Sequence, residues 1–62
     1  SIAQGKDTDI KDLIKQAEES YSNYDYKNAI HYLDKALEIN PTHYEAKFLK
    51  NKFLEEINKK RK

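Results

Sequence analysis

The chain has 62 residues, of which 37% are charged, with a formal net charge of +1, one glycine, one proline and no cysteine. A chain this short forms one domain that buries only about 60% of its unfolded surface, and without cysteine it has neither a disulfide nor a cysteine-held zinc to staple it. The near-neutral balance excludes a global electrostatic pull toward nucleic acid or membrane; no stretch of the sequence approaches the ~18 apolar residues of a membrane helix, and no signal-peptide core is present.

What remains is a helical composition. Lys, Glu, Leu and Ala keep their rotamer freedom in a helix, and strand punctuation is missing. Residues 1–8 show no periodicity and are expected to fray, and Ser1 in place of methionine is expected of a segment of a longer chain or of a tag remnant. Asp7, Thr8, Asp9 and Asp12 then cluster where a first helix would start, because short oxygen-bearing side chains cap free N–H groups and carboxylates suit the positive end of the dipole. Ile10, Leu13, Ile14, Ala17, Tyr21 and Tyr24 follow at spacings of three and four, one face of a helix. The turn-prone run Ser22-Asn23-Tyr24-Asp25 ends it, and Asp25 can cap the next.

The second face is Tyr26, Ala29, Ile30, Leu33, Ala36 and Leu37, closed at Asn40-Pro41 because proline disfavours α geometry in the residue before it. Thr42 and Glu45 read as a capping box opening a third helix, with Ala46, Leu49, Phe53 and Ile57 as its main stripe. Glu55 with Lys59 and Glu56 with Lys60 are expected as i,i+4 ion pairs. Lys59-Lys60-Arg61-Lys62 complements the negative end of the dipole. Short connections require antiparallel neighbours. The expectation is an all-α fold over residues 9–62: an antiparallel helical hairpin followed by a third helix.

The run Tyr24-Asp25-Tyr26-Lys27-Asn28-Ala29-Ile30, then Leu33, Ala36-Leu37, Ile39 and Asn40-Pro41, resembles the tetratricopeptide repeat, an interaction motif of about 34 residues per helix-turn-helix unit. Tyr24 stands in the motif's glycine place, and Ala17, Ala29 and Ala36 in its small-residue places. Leu13, Gln16 and Ser20 depart from the family's Trp, Leu and Tyr, as Lys47, Lys50 and Asn51 do from its Trp, Leu and Gly. The resemblance implies one repeat over about residues 10–43, a closing helix over about 43–60, and a unit of the right-handed α-solenoid type. A second resemblance, to the three-helix microtubule-interacting-and-trafficking domain, fits the Asn40-Pro41 turn and the Ala29…Ala36 spacing less well.

Chemistry-bearing constellations are missing. Glu18-Glu19 and Glu55-Glu56 are consecutive, and side chains at i,i+1 do not face each other. His31 and His43 lack metal-ligand spacing, and no phosphate-binding loop or nucleophile motif occurs. The reading is therefore no enzyme, no metal, no cofactor and no small-molecule substrate. The expected function is binding of another protein or peptide, with self-association into a homo-oligomer as the first alternative and the cytoplasm as the expected compartment.

Carried over by position, the family's concave groove would be lined by Lys11, Ile14, Glu18 and Tyr21 of the first helix and by Glu45, Phe48 and Lys52 of the third. Ile14 and Glu18 would occupy the places of the clamp that holds a C-terminal carboxylate in the chaperone-binding subset, and Glu18 would repel such a ligand. Tyr44 and Phe48 lie by helical phase opposite the Ala46–Phe53–Ile57 stripe, so both faces of the third helix are apolar and one should meet a partner. The charge is uneven, −3 over residues 1–41 and +4 over residues 42–62, which suits self-association or a charged partner. Nucleic-acid contact through residues 47–62 ranks below both.

Overall fold

The computed structural model describes residues 2–60, with side chains from residue 7 onward, and is all-α: α1 (Ile2–Ser22), α2 (Tyr26–Ile39) and α3 (Tyr44–Lys60). Helix α1 begins at Ile2 rather than at the Asp7–Asp12 cluster, so the stretch expected to fray is helical from Ile2 onward. Each residue added to an existing helix contributes one hydrogen bond, whereas a cap is worth about 1 kcal/mol. Asp7, Thr8, Asp9 and Asp12 accordingly lie exposed along the helix rather than at its end.

The α1–α2 turn falls where the sequence places it. The Asp25 N–H donates to the Ser20 carbonyl at 2.8 Å, and the Tyr24 N–H to that of Tyr21 at 3.0 Å. This pair of bonds is a Schellman closure, which requires a left-handed residue at its centre. That residue is Tyr24, with φ 65°. A side chain with a Cβ is strained there by about 1 kcal/mol or more. Asp25 stands at the N-cap position of α2, but its carboxylate accepts from the Asn28 side-chain amide at 2.6 Å rather than from a backbone N–H.

The second turn departs from expectation. Asn40 is extended, as the residue before proline must be, and its N–H closes α2 on the Ala36 carbonyl at 3.0 Å. The Thr42 N–H and hydroxyl both donate to Asn40 Oδ1, at 3.1 and 3.0 Å. Thr42 thus belongs to the turn. The cap of α3 is His43, whose Nδ1 accepts from the Ala46 N–H at 3.3 Å. The Thr42–Glu45 capping box gives way because Asn40 Oδ1 engages the threonine hydroxyl.

Neighbouring helices run antiparallel. Tyr21 meets Tyr26 beside the first turn, while Leu13 and Ile39 line a common groove far from it. Likewise Asp34 of α2 bridges Lys50, and Tyr26 meets Lys60. The core consists of Ile10, Ile14, Ala17, Ala29, Leu33, Ala36, Ala46, Leu49 and Phe53. Four of these nine are alanines without exposed surface; they add little apolar area but let helix backbones approach closely. Ile57, expected in the α3 stripe, is half-buried. Lys59 pairs with Glu56 at 3.9 Å rather than with Glu55, and Lys60 turns away from Glu56 to the tyrosines.

Two stability measurements follow from the turns. Tyr24→Gly should be about 1 kcal/mol more stable to urea than Tyr24→Ala, since both lose the ring but only glycine accepts φ 65° without strain. His43→Asp should raise the melting temperature, and His43→Ala should lower stability by about 1 kcal/mol, as expected for an N-cap position.

Candidate partner-binding surface

The residues expected to line one groove are distributed over two environments. Ile14 is 5% exposed and belongs to the core. Tyr21 is half-buried, its ring stacked on Phe53 at 4.1 Å and 7°. Ile14 is thus closed to a partner, and Tyr21, engaged by Phe53 on one face, keeps only part of its ring exposed. The reason is helical phase itself: both residues share the apolar stripe of α1 with Ala17. The small Ala17 draws α1 close to α2, and Ile14 and Tyr21, three and four residues to either side of it, turn inward with it. Lys11 and Glu18 remain exposed on α1.

Helix α3 keeps the others together. Tyr44 and Phe48, one turn apart, are 81% and 53% exposed and lie nearly parallel, with ring centroids 6.3 Å apart. They border a cleft of about 270 Å³ with Thr42, Lys47 and Asn51. Glu45 and Lys52 are exposed on the same helix, one residue after Tyr44 and four after Phe48, on the flank of the pair. Its opposite side carries Ala46, Leu49 and Phe53 into the core. Leu54, 38% exposed, adds a further apolar side chain between the two faces.

Two other clefts are formed without α3. One, of about 440 Å³, lies between α1 and α2, where Asp9, Asp12 and Glu38 surround Leu13 and Ile39. The other, of similar size, follows α1 past Lys15, Glu18 and Glu19 to Asn23. None of these three clefts combines α1 with α3, so the composite groove expected from sequence is not among them.

Sequence reasoning missed the polar end of the molecule. Lys60 Nζ donates to the Tyr26 hydroxyl at 2.5 Å and lies 4.8 Å from that ring's centroid. It is 5.8 Å from the centroids of Tyr21 and Tyr24. The hydrogen bond to Tyr26, foremost, raises the Lys60 pKa above its ordinary value. The contact persists below the usual lysine range and is lost only as pH rises through the raised value. Three tyrosines around one turn were the available signal; the local Glu56–Lys60 spacing obscured it. Arg61 and Lys62, the rest of the basic run, lie outside the described residues.

Among the described residues, no group of three His, Asp or Glu side chains is placed to hold a metal ion. No described helix is long and apolar enough to cross a membrane. Comparison with protein-family models, with curated proteins and with solved structures finds no match for the chain.

The two aromatic sites of α3 differ in what they should do on substitution. Phe53→Ala should lower the melting temperature sharply, since losing a buried phenylalanine costs about 3–5 kcal/mol out of a total of roughly 3–9 kcal/mol for a chain of this length. Phe48→Ser should leave helicity and melting temperature nearly unchanged. Circular dichroism of both variants checks the assignment of inner and outer faces.

Proposed function

We propose that this chain is a helical-repeat interaction module of the tetratricopeptide type, binding a segment of another protein on the outer face of α3. The observation that carries the reading is the exposed Tyr44–Phe48 stack beside its cleft. Large rings are costly to leave in water, and a partner that covers both gains apolar area from two side chains already held together. Lys47, Lys52 and Glu45 surround the pair and would set register, as rim charges do. An amphipathic helix laid along the α3 face, with apolar anchors on either side of Phe48, is the recognition mode that fits. The reading is non-catalytic.

Two details support the repeat assignment. Ala17, Ala29 and Ala36 have no exposed surface, as the motif's small positions require for close helix approach. Tyr24 occupies the motif's glycine place and has the positive φ for which glycine is used there.

The test is selection of helical peptides from a displayed library against the full chain, followed by titration of a selected peptide with variants. Phe48→Ser and Tyr44→Ser should each weaken binding about tenfold or more, the effect of an interface anchor, while Lys11→Ala leaves it unchanged. Full affinity in both aromatic variants would overturn the assignment.

A second reading, self-association, is favoured by charge complementarity. The α1–α2 groove presents Asp9, Asp12 and Glu38 with one lysine, Lys35, around an apolar floor, and α3 carries Lys47, Lys52 and Lys59 besides Lys50 and Lys60, which are engaged within the chain. Docking the α3 face of one copy on the α1–α2 groove of the next would be a heterologous contact. Sedimentation over a concentration series should then show association that Asp12→Lys and Phe48→Ser both weaken. A monomer at every concentration would exclude this reading.

A further inference from the structure

The tyrosines at the α1–α2 turn form a cage. Tyr24, swung out by its left-handed backbone, stands edge-on to Tyr26 at 87°, with centroids 6.3 Å apart. Tyr21 leans on Tyr26 at 51° and 5.1 Å. These three walls converge on the Lys60 ammonium, within the ~6 Å at which ring faces attract a cation. The Tyr26 hydroxyl supplies an acceptor for one N–H. Among the described residues no carboxylate lies within ion-pair distance of Lys60; Glu56 acts on it at longer range, and its direct contacts are ring faces and a hydroxyl.

Walls and occupant are not equally fixed. Tyr21 is clamped by its stack on Phe53, and Tyr21 and Tyr26 are both half-buried. Lys60, the last described residue of α3, is exposed. Exposed side chains change rotamer on the picosecond-to-nanosecond scale, so the Lys60 ammonium can leave without α3 unfolding. Two walls, Tyr21 and Tyr26, are therefore fixed independently of the lysine, while Tyr24, 77% exposed, stands on the open side of the cage.

We propose that Tyr21, Tyr24 and Tyr26 form a recognition site for an alkylammonium side chain, lysine or its mono- or dimethylated form in a partner peptide, and that Lys60 is an internal occupant displaced on binding. Methylation thins the hydration of the ammonium and favours the ring faces, while one remaining N–H keeps the bond to Tyr26. The site shares no residue with the Tyr44–Phe48 surface and does not depend on it. Loss of peptide binding at Phe48 and loss of cation binding at Tyr24 are thus separate results.

The experiment follows the tyrosine ring resonances of the full chain by NMR during titration with blocked dimethyllysine, using blocked norleucine as the uncharged control. Lys60→Gln removes the competitor and should tighten dimethyllysine binding about two- to fivefold, the scale of cation–ring attraction on an exposed site. Adding Tyr24→Ala to it should reverse that gain, whereas adding Tyr24→Phe should retain it, because the ring and not the hydroxyl forms that wall. The proposal is overturned if Lys60→Gln binds no more tightly than the parent chain. Equal shifts with norleucine, or unaltered binding in the Tyr24→Ala double variant, would overturn it as well.

Discussion

Tyr21 belongs to α1, leans on Tyr26 of α2 and lies flat on Phe53 of α3, at 5.1 and 4.1 Å between ring centroids. It is the point at which all three helices converge. Helix α2 packs extensively on both neighbours, whereas α1 and α3 touch little, so the angle between them depends on this stack. Stacked and tilted aromatic pairs add about 0.5–1.5 kcal/mol each beyond the area they bury, a sizeable share of a small domain's stability. The inward turn of Tyr21 follows from Ala17, one turn earlier, where α1 meets α2 without an intervening side chain.

The same arrangement decides what stays outside. A helix layer this thin, 13 Å along its shortest principal dimension, is little more than one helix across. Helix α3 can commit Ala46, Leu49 and Phe53 to the core, but it has nothing to cover Tyr44 and Phe48 with. Near the other end of α3 the tyrosines at the α1–α2 turn face Lys60. The molecule therefore presents an apolar surface at the start of α3 and a cation-holding one at its end. Lys50 ties the middle to Asp34 at 2.6 Å, a half-exposed pair of the kind worth up to about 1 kcal/mol.

Helical spacing made most of the fold legible. Ile10, Ile14, Ala17, Ala29, Leu33, Ala36, Leu49 and Phe53 were all assigned to apolar faces by periods of three and four, and both turns fall where Asn23 and Pro41 place them. Helix ends were less legible. Thr42 and His43 compete for one cap, and the outcome rests on Asn40 Oδ1, a side-chain bond local to the turn that helical periodicity does not register. The start of α1 was hidden because Asp and Thr at residues 7–9 have the residue types of a cap without occupying its position. At the candidate surface, Tyr44 and Phe48 emerged from helical phase alone. Ile14 and Tyr21 were assigned to a groove by analogy with other chains, although their own spacing already put them on the buried stripe. Lys60 lies 34 residues from Tyr26, beyond any local pattern.

The order of contacts along the chain also bears on how it folds. Because α1 packs mainly on α2 and α2 on α3, most native contacts join residues close in sequence. Chains with such low contact order fold in roughly microseconds to milliseconds. The α1–α2 hairpin can form first around its alanines, leaving α3 to dock in a later step. Closure of Tyr21 on Phe53 is then the moment at which two local events become one cooperative structure.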